Sequence, residues 1–177
     1  MTRRRLVTFA ALLLVPTVLP AQTRAAKLND ATIVAVYDAV LTRVIEVAQL
    51  AAERGANPKV RSFATMLVNE HSLAREQWRS AAAKAKVTAT PPADDQLQKE
   101  HVAMIGKLRT LSGAAFDLAF LQHESDYHNR VIDLVNKSLF VAVGNTGLRA
   151  RLTKDRPDFT RHAAGLDALA ASAKSGR

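Results

Sequence analysis

Beyond residue 29, apolar residues recur every three or four positions through almost the whole chain, and no useful stretch alternates apolar with polar residues. The first spacing lines up one side of a helix, whereas a half-buried strand needs the second. The chain is thereby constrained to the all-α class, with each helix burying one stripe against its neighbours. Ile33, Tyr37, Val40, Val44, Val47 and Ala51 form the first stripe. Asn29-Asp30 is a good N-cap for it, and Gly55 after Arg54 is a stop.

The same reading divides the rest. Asn57-Pro58 opens a second helix, with proline at the first helical position. Val60, Phe63, Leu67, Ala74 and Trp78 share one of its faces, and it fades near Lys86. Residues 87–94, with two adjacent prolines, read as the one obvious linker. A shorter helix over about 95–111 aligns Leu97, Met104, Ile105 and Leu108 before Ser112-Gly113 breaks it. A long helix over about 114–143 ends at Gly144-Asn145. The last helix starts near Thr146, and Pro157 is expected to kink or restart it before Phe159, Leu166 and Leu169. These lengths predict an up-down bundle of four long helices, with an extra short helix on one longer connection.

Residues 1–25 have a different character. Arg3-Arg4-Arg5 precede an apolar run from Leu6 to Leu19, then a small-residue tail with cleavage expected after Ala21 or Ala25. That is the plan of a secretory signal; the run is too short and too interrupted for a spanning helix. Thr2 to Val7 also resembles a twin-arginine signal. The bundle domain is then 26–177, in the periplasm or otherwise exported, with the outer membrane as one destination. The chain has no cysteine, which removes disulfides, thiolate ligands, a thiol nucleophile and a lipid anchor at a cleavage-point cysteine. Loss of the three leader arginines takes the formal charge from +9 to +6. Outside the cytoplasm such a chain meets anionic envelope polymers or lipid surfaces before nucleic acid. Its basic residues are not interleaved with aromatics, and nucleic acid is not expected as a partner.

Helical wheels place four of the five histidines inside apolar arcs. His71 shares an angle with Val60, Leu67 and Trp78; His101 falls among Leu97, Met104, Ile105 and Leu108. Glu124 and His128 stack four residues apart near the middle of the fourth arc, and His162 lies between Phe159 and Leu166. Three readings stand side by side. The histidines are separate, neutral, hydrogen-bonded core residues. They converge with Glu124, Tyr127 and Glu70 into a polar cluster that tunes stability with pH. Or they build a metal site across facing helices, for iron, zinc or copper.

The metal reading excludes one common form of itself. A carboxylate-bridged di-iron centre takes one Glu from each of two helices and Glu-x-x-His from each of the other two. Glu70 and His71 are adjacent, Glu124 and His128 are one residue too far apart, and Glu46 lies away from the first stripe. A histidine-rich mononuclear site escapes these objections. Imidazole nitrogens more than about 6 Å apart would rule out shared ligation, since Zn–N bonds are about 2.0–2.1 Å.

Three ordered motifs carry a family resemblance over about residues 30–170. Val60-Arg61-Ser62-Phe63-Ala64 with Met66 and Glu70-His71, then Leu108 through Leu111-Ser112-Gly113-Ala114-Ala115-Phe116-Asp117 to His128, and Pro157 with His162 resemble the domain of unknown function family 4142. The resemblance implies a ferritin-like four-helix fold in an exported bacterial protein and brings no activity. His71, His128 and His162 match its pattern, and His101 a position often held by His. Glu70 stands where the motif has Asp, and Val44 where many members carry a first-helix acid.

No Gly-rich phosphate loop or nucleophile elbow is present. The leading expectation is a non-enzymatic envelope or periplasmic bundle serving stress tolerance or binding. The alternative is a metal-binding, redox-capable protein using His71, His128 and His162, with Glu70, Glu124 and His101 as further candidate ligands.

Overall fold

The computed structural model describes residues 28–175. The leader, with its Ala21 and Ala25 cleavage points, lies outside them. Five helices account for the fold: α1 Asp30–Arg54, α2 Pro58–Lys84, α3 Gln96–Thr110, α4 Gly113–Leu134 and α5 Thr146–Ser175. No strand occurs among the described residues. The caps are those the side chains dictate. Asn29 accepts from the Thr32 amide, Asn57 from Lys59 and Asp95 from Gln98, each satisfying a donor the helix start leaves open. Gly55 sits where a Cβ would come 2.8 Å from the Ala51 carbonyl oxygen, too close for any larger residue.

The four long helices pack as two antiparallel hairpins. Late α2 lies beside early α1, with Trp78 Nε1 donating to the Val34 carbonyl and Arg79 gripping Asp38. Early α5 lies beside late α4, where Arg149 donates to the Phe140 carbonyl. Two aspartates pin the hairpins end to end. Asp117 of α4 accepts from the Ala56 and Asn57 amides in the α1–α2 turn. Asp30 of α1 accepts from the Gly144 and Asn145 amides in the α4–α5 turn. Hence α1 and α4 are antiparallel, and α2 and α4 run the same way. A simple up-down order does not hold. The connection between α2 and α4 carries α3 back along the length of the molecule, as parallel neighbours require. Buried Arg43 holds α3 to α1 through Asp95 and Gln98.

Two expectations need correction. The fourth helix does not run unbroken to residue 143. It passes into a π-helical turn, Val135–Leu139, and resumes only for Phe140–Ala142. Pro157 does not restart the fifth helix, which is continuous around it. Pro157 is exposed, so its missing N–H leaves the Thr153 carbonyl on the solvent side of the helix, where the loss is cheapest.

The interior is two apolar clusters. One gathers Ile33, Tyr37, Trp78, Val131 and Phe159. The other gathers Val47, Leu67, Phe116, Phe120 and Leu166. Between them, at mid-height on α2, α4 and α5, lies a layer of histidines.

Candidate metal centre

His71 is carried by α2 between Leu67 and Trp78, His128 by α4 between Leu121 and Val131, and His162 by α5 between Phe159 and Leu166. Each therefore sits where one apolar cluster gives way to the other. The three are 2%, 0% and 1% exposed. His71 Nε2 stands 3.1 Å from His162 Nδ1 and 3.3 Å from His128 Nε2. All three ring nitrogens lie within 4.8 Å of one another.

The outer nitrogens decide where the protons sit. His162 Nε2 donates to Glu70 Oε2 at 2.8 Å, and His128 Nδ1 donates to the Glu124 backbone carbonyl at 2.8 Å. The tautomers follow from those acceptors: His162 Nδ1 and His128 Nε2 are bare lone pairs facing inward. His71 brings at most one proton to the meeting point. At least one inward lone pair is then without a hydrogen in every neutral arrangement.

Protonating the cluster is no remedy. Burial drives the His71 pKa well below its ordinary value, and neighbouring His128 and His162 push the same way. Burial takes His128 down to about 3, against the pull of the Glu124 carbonyl. His162 is lowered by burial too, with Glu70 offsetting part of it. Burial works upward on Glu70, but Arg161 and His162 hold its carboxyl below the usual range. It is an ionised acceptor behind a neutral ring.

Three neutral imidazoles with converging lone pairs are a ligand set for a transition metal. At tetrahedral angles, Zn–N bonds of about 2.0–2.1 Å place neighbouring nitrogens about 3.3–3.4 Å apart. The two shortest separations, 3.1 and 3.3 Å, lie at that edge, and the remaining pair, within 4.8 Å, would draw in on an ion to meet it. The Phe159 ring lies against His71 and His128, with centroids 5.1 and 5.4 Å away, and walls off one side. The first helix adds nothing that can ligate: Val44 is fully buried among apolar neighbours.

Of the six candidate ligands, His71, His128 and His162 come together. Glu70 and Glu124 stand behind the rings. The Glu124 carboxylate lies 3.5 Å from His128 Nδ1, on the side away from the cluster. Both its oxygens are buried without a hydrogen-bond partner, and burial raises its pKa well above the carboxylate range. His101 is elsewhere, bonding to Glu46 of α1 at 2.6 Å and tying α3 down. Sequence reasoning passed over two neighbours. His123, lowered to about 4 chiefly by burial, approaches Glu124 to 3.8 Å. Phe159 reads from the sequence as core alone, yet its place three residues before His162 puts it on the same face.

The model of the family described as Domain of unknown function (DUF4142) matches residues 16–169, and the chain belongs to that family. No curated protein and no solved structure matches it.

Proposed function

Taking that membership as the premise, we propose that the protein is an exported, ferritin-like helical protein that holds one transition-metal ion between His71, His128 and His162, in a binding rather than an enzymatic role. The carrying observation is the convergence of three inward nitrogens, two pairs at 3.1 and 3.3 Å, in a layer closed to solvent. The ferritin-like assignment is supported by two antiparallel hairpins joined by one long crossover, with the site built from facing helices. Export is supported by the arginine-led apolar leader.

The donor set favours copper or zinc. Non-haem iron centres commonly add a carboxylate to two histidines, and here both nearby acids face outer ring edges. A binding role is favoured because Phe159 and the surrounding core leave no open side at the three nitrogens for a substrate.

The test is element analysis of protein recovered from the periplasm after expression with its own leader. About one equivalent of copper or zinc per chain is expected, absent from a His71→Ala, His128→Ala double variant. Metal-free wild-type protein that also fails to take up either ion on titration would reject the metal. The histidine layer would then be a neutral hydrogen-bonded seam, with the variant merely less stable. N-terminal sequencing of the same sample checks export, which requires a start near residue 22 or 26.

A further inference from the structure

A cleft of about 340 Å³ lies between α4 and α5, apart from the histidine nitrogens. Its floor is Tyr37, Val135 and Phe159, all buried, and its rim is Thr153, Arg156 and Thr160, all exposed. The two irregular stretches of the fold meet there. The π-helical turn brings Val135 and Asn136 to one wall, and Pro157 stands in the other. Single π turns inside α-helices are often found at functional sites.

Each irregularity leaves a group unmatched. Asn136 Oδ1 is buried and has no hydrogen-bond partner. Pro157 has no N–H to give to the Thr153 carbonyl in the preceding turn. The Thr153 carbonyl can turn to solvent, but Asn136 Oδ1 is a buried acceptor in want of a donor, and leaving it unpaired is unfavourable until one arrives. Arg156 supplies the opposite need. Its guanidinium lies 5.2 Å over the Phe140 ring and has no ion pair among the described residues. The arginines at 75, 79, 130, 151 and 161 are each matched to an acid.

We propose that this cleft binds a small amphipathic carboxylate: an apolar, ring-sized body on Tyr37 and Phe159, a hydroxyl or amino donor to Asn136 Oδ1, and an anionic end at Arg156. An apolar floor with a few convergent polar groups, in a volume near the lower end for small-molecule sites, is the chemistry such a ligand needs. Aromatic faces favour an aromatic body over an aliphatic one. Phe159 is shared with the histidine layer, so occupancy of the cleft is felt one ring away from it.

The experiment uses metal-free protein, so its outcome is independent of metal loading. Three probes are titrated by calorimetry: 4-hydroxybenzoate, 4-methoxybenzoate without the donor, and methyl 4-hydroxybenzoate without the anion. Trp78 is the only tryptophan, packed edge-on to Tyr37 at 4.9 Å, and its single indole N–H resonance reports occupancy locally. Saturable binding of 4-hydroxybenzoate is expected, with each comparator at least about tenfold weaker, the factor a lost hydrogen bond of about 1.4 kcal/mol implies. Arg156→Gln, at an exposed position, should lower affinity by a similar factor, and Asn136→Leu should erase the preference over 4-methoxybenzoate. No saturable heat up to about 10 mM would overturn the proposal. So would equal binding of all three probes, or binding indifferent to Arg156→Gln, since either would mean simple apolar partition.

Discussion

The ring of His162 is fixed by Glu70: the 2.8 Å bond from Nε2 to the carboxylate commits the proton to the outer edge and leaves Nδ1 bare inside. Partners of this kind set both the tautomer and the basicity of a ligating imidazole. Glu70→Ala should weaken metal binding by about 10–100-fold, and Glu70→Gln by less, because an amide oxygen still accepts the bond. Competition against a chelator of known affinity measures both; equal, unchanged affinities would remove Glu70 from the site.

Acid should destabilise the metal-free protein earlier than carboxylate titration alone would. His128 titrates near 3 when folded and near 6.5 when unfolded, and His71 and His162 are shifted the same way. Above pH 6.5 both states are neutral there and nothing is lost. As pH falls from 6.5 toward 3, the unfolded chain takes up the His128 proton and the folded chain does not. His128 then removes about 1.4 kcal/mol per pH unit, and His71 and His162 act in the same direction. Urea midpoints between pH 7.5 and 4 would reveal the slope, and His71→Phe should flatten it.

Glu124 works in the opposite sense. Its folded pKa is raised by burial, so it favours the native state below the unfolded carboxylate pKa and opposes it as pH rises. Glu124→Gln should therefore stabilise metal-free protein at neutral pH. The advantage should shrink by about 1.4 kcal/mol per unit on acidification and vanish below about pH 4. A variant less stable at pH 7.5 would contradict this placement.

Asp117, buried and accepting two turn amides, is the structural pin of the α1–α2 end. Asp117→Ala should cost about 2–4 kcal/mol, since two buried donors lose a charged acceptor. Asp30→Ala, at the more exposed opposite end, should cost about 1 kcal/mol. Denaturant midpoints at unchanged m-value are the readout.

Helix identities, their stops and the inward histidines were legible because each depends on spacing within one segment. Wheels give an angle but not a height. That His71, His128 and His162 share one level depends on turn lengths and on the Asp30 and Asp117 pins, which link residues far apart in sequence. For the same reason His101, inward by angle, meets Glu46 instead. The course of α4 was hidden differently: Val135-Asn136-Lys137-Ser138-Leu139 contains no glycine or proline to announce a π turn. At Pro157 local propensity argued for a break, and packing of Phe159, His162 and Leu166 on the opposite side overrode it.

The histidine layer parts the interior into two halves that share few apolar contacts, and an ion there would be a clasp between them. It would join residues 57 and 91 positions apart, on three helices. Since the unfolded chain cannot assemble those ligands, metal occupancy and folding become one linked equilibrium. An ion at about 1,000 times its dissociation constant would add about 4 kcal/mol to stability. The margin by which the fold resists unfolding would then rise and fall with the metal available in its surroundings.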